Sequence, residues 1–134
     1  MMIALYAAKD HHGLSVAALC APNIRFYVAQ RADDLLGCCA LADMGTYGEV
    51  KSMFVAPAAR GAGVARLLLD RIIAEAETRG LPLLRLETGV GLDAAIALYE
   101  RAGFVRRAPF GAYSDSPASI FMEKPLAAQI GVQS

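Results

Sequence analysis

The chain has 134 residues, of which 56% are apolar and 7% aromatic, with a mean hydropathy of +0.40. These values fit one globular domain spanning residues 1–134 and exclude an intrinsically disordered chain. Thirteen basic and thirteen acidic side chains give a formal net charge of zero, which argues against nucleic acid or an anionic membrane as a dedicated partner. Any anionic ligand must therefore be bound by local features of the chain.

The cysteines predict a reducing compartment. Cys20, Cys38 and Cys39 are odd in number and have no C-x-x-C spacing. We interpret the adjacent pair as small buried apolar residues, with a redox or metal role as the alternative. No apolar run reaches the ~18 residues of a membrane span, and the first residues lack the basic region of a signal peptide. We expect a cytoplasmic protein without a metal site.

Three strands are predicted in the first half of the chain. The runs 24–30 (I-R-F-Y-V-A-Q) and 36–41 (L-G-C-C-A-L) flank the turn-rich segment 31–34, which is typical of an antiparallel hairpin. The loop 43–48 leads into a third strand over 49–55 (E-V-K-S-M-F-V).

The second half alternates helices and strands. Pro57 ends the third strand, and Asp93 is a suitable N-cap for a later helix. The elements predicted in order are a helix from Val64 to the stop at Gly80, a strand at 83–87, a helix at 93–102 and a hairpin of 104–107 with 119–123. This order predicts an α/β protein with a mixed, mostly antiparallel sheet flanked by helices.

The segment A-P-A-A-R-G-A-G-V-A-R, between the third strand and the first helix, carries the strongest chemical signal. Its glycines let backbone N–H groups converge, and the first helical turn adds unpaired N–H groups, so the segment can bind a diphosphate. It is not a P-loop, because no Lys-Ser or Lys-Thr follows the glycines. A dinucleotide fingerprint starting at Gly61 is the alternative, but its third position is Arg66, although Glu87 mimics the acidic ribose ligand.

The run R-G-A-G-V-A at 60–65 resembles the Q/R-x-x-G-x-G/A motif of the GCN5-related N-acetyltransferase (GNAT) superfamily. L-Y-E-R-A-G-F at 98–104 resembles that family's helix-to-strand segment at its usual distance downstream. With L-E-T-G after the next strand and F-M-E-K-P-L near the end, the similarity runs from about Ile24 to Leu126. It implies the acyl-CoA N-acyltransferase fold.

The resemblance implies transfer of an acetyl group from acetyl-CoA, a cosubstrate, to a primary amine of a small molecule or amino-acid-like acceptor. The CoA diphosphate would bind the backbone N–H groups of the loop, and the pantetheine arm would pair with the main chain at the end of the third predicted strand like an added strand. The residues implied for the diphosphate are Arg60, Gly61, Ala62, Gly63, Val64 and Ala65, and those for pantetheine are Met53, Phe54 and Val55.

Two catalytic residues are implied. Tyr99 matches a helical tyrosine of the family that protonates the departing CoA thiolate, with a packed aromatic as the alternative. Glu49 lies where many relatives place a carboxylate that takes a proton from the attacking ammonium, with a solvated charge at a strand start as the alternative. Strict alternation from Glu49 to Val55 puts Lys51 on the same face as Glu49, where it can pair with the carboxylate.

Acceptor-binding candidates lie in two loops. His11 and His12 occupy a polar break before the hairpin, and Tyr113, Ser114 and Asp115 occupy the final hairpin loop. Ordinary exposed turns are the alternative for both groups. Phe110 and Tyr47 fit either a pocket wall or the core.

Two features depart from the family. Leu92 stands where many relatives have an asparagine, and few residues precede Ile24. We interpret 1–8 and 14–20 as helices. The family's first strand is therefore expected to be either shortened or absent, and we favour its absence. The sheet edge near 26–30 would then need a cover, which favours a homodimer. A binding module without catalysis and a protein-acetylating enzyme are the alternative functions.

Overall fold

The computed structural model describes residues 4–7 and 23–127. Its strands are β1 (Ala4–Ala7), β2 (Ile24–Arg31), β3 (Asp34–Asp43), β4 (Gly48–Val55), β5 (Leu83–Gly89), β6 (Val105–Arg107) and β7 (Ser119–Pro125). Its helices are α1 (Val64–Thr78) and α2 (Asp93–Arg101), and a 3-10 turn at Pro57–Ala59 precedes α1. Within these ranges, no helix combines the length and apolarity that crossing a membrane requires.

The strands form one sheet in the order β1-β2-β3-β4-β5-β7-β6. Neighbouring strands are antiparallel except β4 and β5, which are parallel. The mixed, mostly antiparallel sheet predicted from the element order is therefore confirmed, as are both predicted hairpins.

One apolar cluster holds both helices against the sheet. Leu68 and Ile72 of α1 alternate with solvent-facing residues at helical spacing, and Leu84 and Leu86 of β5 alternate at strand spacing. All four are at most 1% exposed. Burying side chains of this size contributes about 1.5–3 kcal/mol each before entropy is counted, so this layer fixes where β4, β5 and α2 lie.

The N-terminal residues differ from expectation. We expected the first strand to be absent and residues 1–8 to be helical. Both predictions are wrong for residues 4–7, which form β1. β1 pairs antiparallel with β2, from Ala4 opposite Gln30 to Ala7 opposite Tyr27. The chain itself therefore covers the sheet edge, and the reason for expecting a homodimer is removed. The family's first strand is present in shortened form; the helix predicted over 14–20 and Cys20 lie outside the described residues.

A β-bulge interrupts β4 at Ser52, whose φ is +57°. Val50 and Met53 both pack into the core although they are three residues apart, which an unbroken strand does not allow. Strict alternation along this strand is therefore wrong beyond the bulge. Glu49 and Lys51 lie before it and share a face, whereas Met53 turns to the core.

The start of α2 also differs in detail. Leu92, not Asp93, is the N-cap residue, and it forms no side-chain cap hydrogen bond. Asp93 instead occupies the first helical turn, where the positive end of the helix dipole stabilises a carboxylate.

Candidate active site

The centre of the sheet opens between β4 and β5. Only two residue pairs join these strands, Gly48 with Leu84 and Glu49 with Arg85. Past these pairs the strands separate around a cavity of about 370 Å³, here called the splay cavity. It is lined by Val50, Lys51, Ser52, Met53, Glu87, Thr88, Gly89, Leu92, Ala95, Tyr99 and Tyr113. The backbone of β4 that faces this gap can pair with an extended ligand as with an added strand.

The glycine loop follows β4 and leads into α1. Gly61 and Gly63 have φ of +84° and +80°, and a Cβ added to either would meet no atom within 4 Å. The first helical hydrogen bond runs from the N–H of Leu67 to the carbonyl of Gly63. Within the described chain, no hydrogen bond accounts for the N–H groups of Gly61, Gly63, Val64, Ala65 and Arg66. These open donors at a helix N-terminus suit a diphosphate.

The other residues predicted to bind acetyl-CoA lie in the glycine loop or near the splay cavity. Arg60 and Ala62 are exposed in the loop, with their N–H groups bonded to Pro57 and Ala59. Met53 lines the splay cavity, while Phe54 is 48% exposed and Val55 packs on the core.

Tyr99 lies on α2 with only 5% of its surface exposed, and it lines the splay cavity. Its ring packs edge-on against Phe104, with ring centres 5.7 Å apart. Burial, together with nearby Cys39, raises the pKa of Tyr99 to about 12. The hydroxyl is therefore protonated at neutral pH. No hydrogen bond joins it to another described residue, and the Tyr99 side chain lines the splay cavity. Such a group can donate a proton to a leaving thiolate.

Glu49 is 5% exposed, so it is not a solvated charge. The Tyr113 hydroxyl donates a hydrogen bond of 2.6 Å to its Oε2, and Lys51 Nζ lies 3.8 Å from the same oxygen. Burial and this hydrogen bond raise the pKa of Tyr113, which stays protonated as the donor. Tyr113, in the loop after β6, thus fixes the position of the Glu49 carboxylate, although the two residues are 64 positions apart in the sequence.

Glu49 also borders a second cavity of about 360 Å³, here called the Glu49 cavity. It is lined by Met44, Tyr47, Glu49, Lys51, Gly111, Ala112 and Tyr113. Lys51 and Tyr113 belong to the walls of both cavities. A phenol in one cavity and a carboxylate in the next can therefore serve a single reaction between two bound molecules.

The sequence left Tyr47 and Phe110 undecided between pocket and core. Tyr47 lines the Glu49 cavity, whereas Phe110 is buried beneath it and packs edge-on against Tyr47, Tyr113 and Phe121. Among the residues named with Tyr113, Ser114 is exposed, and Asp115 borders a separate cavity with Arg106. His11 and His12 lie outside the described residues.

Sequence reasoning missed an arginine network under the Glu49 cavity. Arg85 and Arg107 both donate to Oε1 of Glu123. The Arg85 guanidinium also lies over the Tyr47 ring, 4.6 Å from its centre. Alternation in L-L-R-L-E could have placed Arg85 opposite the core face, but its partner Glu123 is 38 residues away.

Two further residues bear on the alternatives. Leu92 lines the splay cavity, so an apolar contact stands where many relatives have an amide. Glu87, the acid required by a dinucleotide fingerprint, accepts a 2.8 Å hydrogen bond from Ser119. The sheet is mostly antiparallel with one parallel pair, β4 with β5, whereas that fold has a mostly parallel sheet.

Comparison with known proteins identifies the family. A family model described as "Acetyltransferase (GNAT) domain" matches residues 22–106. An "IAA acetyltransferase" of Azospirillum brasilense is 52% identical over 124 residues, which cover 91% of this chain and 81% of that protein. An uncharacterized N-acetyltransferase of Bacillus subtilis (strain 168) is 42% identical over 118 residues, which cover 86% of this chain and 78% of that protein.

Solved structures agree. An acyl-CoA N-acyltransferase structure from Klebsiella pneumoniae superposes with a TM-score of 0.83 at 29% identity, covering 94% of this chain and 99% of that one. A GNAT acetyltransferase from Elizabethkingia anophelis, solved with acetyl-CoA bound, has the same fold, with a TM-score of 0.71 at 18% identity over 92% of this chain and 98% of that one. The chain belongs to the GNAT superfamily and is an acetyl-CoA-dependent N-acetyltransferase.

Proposed function

We propose that this chain, as one domain over residues 1–134, transfers the acetyl group to the primary amine of a small or amino-acid-like acceptor by direct attack. The observation that carries the proposal is the pair of adjoining cavities, one holding the Tyr99 hydroxyl and the other the Glu49 carboxylate. The free thiols of Cys38 and Cys39 support a cytoplasmic setting.

Acetyl-CoA would bind from the glycine loop to the splay cavity. The open N–H groups of 61 and 63–66 suit its diphosphate, and the unpaired side of β4 suits the pantetheine amides. The exposed loop has space beside Gly61 and Gly63 for phosphates to approach the backbone closely.

Glu49 would prepare the acceptor. An amine with a pKa near 10 is almost fully protonated at neutral pH, so a base must remove a proton before nitrogen can attack. Oε2 of Glu49 is held by Tyr113, and Oε1 receives no hydrogen bond within the described ranges. Oε1 is therefore the oxygen open to an ammonium in the Glu49 cavity.

Tyr99 would complete the exchange. The freed amine forms a bond to the acetyl carbonyl carbon, and the carbon–sulfur bond breaks. The Tyr99 hydroxyl gives its proton to the departing thiolate and regains one from the acceptor nitrogen through solvent. The products are the N-acetylated acceptor, CoA thiol and the proton held by Glu49, so atoms and charge balance.

The test measures release of CoA thiol from acetyl-CoA in the presence of a panel of amines, amino acids and dipeptides. The panel also includes IAA, because the Azospirillum relative is described as an IAA acetyltransferase. Glu49→Gln should lower kcat/KM by about 10²-fold or more with the best acceptor. Glu100→Gln, an exposed change on α2, is the matched control and should leave kcat/KM unchanged.

Two results would refute the proposal. Tight acetyl-CoA binding with no thiol release for any acceptor would identify a binding module. Turnover confined to protein or peptide acceptors would identify a protein-acetylating enzyme instead.

A further inference from the structure

The Glu49 cavity carries two opposite charges on one wall. Glu49 and Lys51 are two residues apart in β4, before the bulge, and Lys51 Nζ lies 3.8 Å from Glu49 Oε2. The side chain of Glu49 is 7% exposed and that of Lys51 46% exposed. The anion is thus set deep in the wall, and the cation lies nearer its opening.

Both groups keep bonding capacity for a ligand. The Tyr113 hydroxyl already bonds to Oε2 of Glu49, whereas Oε1 has no donor within the described chain. The separation of 3.8 Å between Lys51 and the carboxylate exceeds a hydrogen bond. The Lys51 ammonium forms no hydrogen bond to another described residue, so it can bind a second anion.

We infer that the Glu49 cavity binds a free α-amino acid, with its ammonium on Glu49 and its carboxylate on Lys51. The inference rests on the proposed function, whose acceptor class it narrows. Backbone bond lengths put the amine nitrogen and the carboxylate oxygens of an amino acid about 3 Å apart. That spacing is similar to the 3.8 Å between Lys51 and Glu49. The ligand ammonium can therefore contact Glu49 while the ligand carboxylate contacts Lys51, so each charge lies beside a charge of opposite sign.

The rest of the cavity selects the side chain. Met44, 48% exposed, and Tyr47 contribute apolar surface, and Gly111 and Ala112 leave the loop side open. Arg85 lies on the Tyr47 ring but is paired with Glu123. Arg85 shares Glu123 with Arg107 and does not line the cavity, so Lys51 is the cation among the lining residues that can meet the carboxylate. The amino acid therefore has a large apolar or aromatic side chain.

A peptide N-terminus presents the same amine but has an amide in place of the carboxylate. It would bring no anion to Lys51 and would lose the contact that the cavity offers. A simple arylalkylamine has the same deficiency. The carboxylate is therefore the group whose removal distinguishes these classes.

The test measures binding by calorimetry to the protein saturated with CoA, so that no turnover is needed. The probes are L-phenylalanine, L-leucine, the amide of each, phenylalanyl-alanine and 2-phenylethylamine. At least one of the free amino acids should bind about tenfold or more tightly than its matched ligands without a free α-carboxylate, because a hydrogen bond to a charged group is lost in the latter. Lys51→Met should reduce this preference to less than about threefold, while Lys124→Met, a lysine on β7 outside both cavities, should retain it.

The outcomes separate the inference from the proposed function. Equal binding of L-phenylalanine and its amide, tighter binding of the dipeptide, or no binding of either amino acid would overturn the inference. In those cases, thiol release with 2-phenylethylamine or the dipeptide would still support acetyl transfer. A carboxylate preference that Lys51→Met leaves unchanged would also overturn it. Preferred amino-acid binding without thiol release would support the recognition and refute the proposed function.

Discussion

Gly63 offers the sharpest test of diphosphate binding by the glycine loop. We predict that Gly63→Glu weakens CoA binding far more than Gly63→Gln, although both variants fold. A Cβ at Gly63 meets no atom within 4 Å, so neither side chain is sterically blocked. Its φ of +80° strains any non-glycine residue. Both variants should therefore lose the same ~1–2 kcal/mol of stability.

The difference between the two variants is one negative charge at the start of α1. For about 5 Å between a carboxylate and each phosphate in water-like surroundings, repulsion is about 0.8 kcal/mol per phosphate charge and about 1.7 kcal/mol for two. The loop is exposed, so this high-dielectric value is the appropriate lower bound. It corresponds to a Kd about 15-fold larger for the glutamate variant than for the glutamine variant.

Isothermal titration with CoA measures both dissociation constants, and thermal melting checks that the two variants are equally stable. Raising the salt concentration should narrow the gap, because screening acts on exposed charges. Equal CoA affinity of two folded variants at low salt would refute diphosphate binding at this loop.

Three further predictions address catalysis and stability. Tyr99→Phe should lower kcat by about 10²-fold or more without changing the Kd for acetyl-CoA. Because the pKa of Tyr99 is raised to about 12, ionisation of its hydroxyl should not reduce the kcat of the wild type at pH values up to 10. Hydrogen bonds from Arg85 lower the pKa of Glu123 below its ordinary 4.5. Glu123 therefore stabilises the fold above that pH and loses this contribution as pH falls, so Glu123→Gln should reduce Tm at pH 7 and flatten its decline in acid. Leu84→Ala, at a 0% exposed position, should cost about 2–5 kcal/mol in urea unfolding.

Local patterns predicted most of the fold. The β2–β3 hairpin, the start of α1 at Val64 and the β6–β7 pair depend on turn residues and apolar spacing that lie within a few residues of each element. β1 was missed because four apolar residues at 4–7 fit a helix or a strand equally well, and its partner β2 lies beyond residue 23.

The site was predictable only where its chemistry is local. The glycine loop is a contiguous motif, so its donors follow from the sequence. The contact between Tyr113 and Glu49 spans 64 residues, and that between Arg85 and Glu123 spans 38. No local pattern specifies either pairing. The φ of +57° at Ser52 is equally hidden, because serine rarely adopts it and only the paired register with β3 reveals the bulge.

The early parting of β4 and β5 has a consequence for the lifetime of the protein. Backbone groups without a strand partner normally occur at the outer rims of a sheet, yet here they lie at its middle. A cosubstrate lying along this seam adds its binding energy to that of folding, about 2.7 kcal/mol at a hundredfold excess over Kd. Resistance to heat and proteases would then rise and fall with the supply of acetyl-CoA.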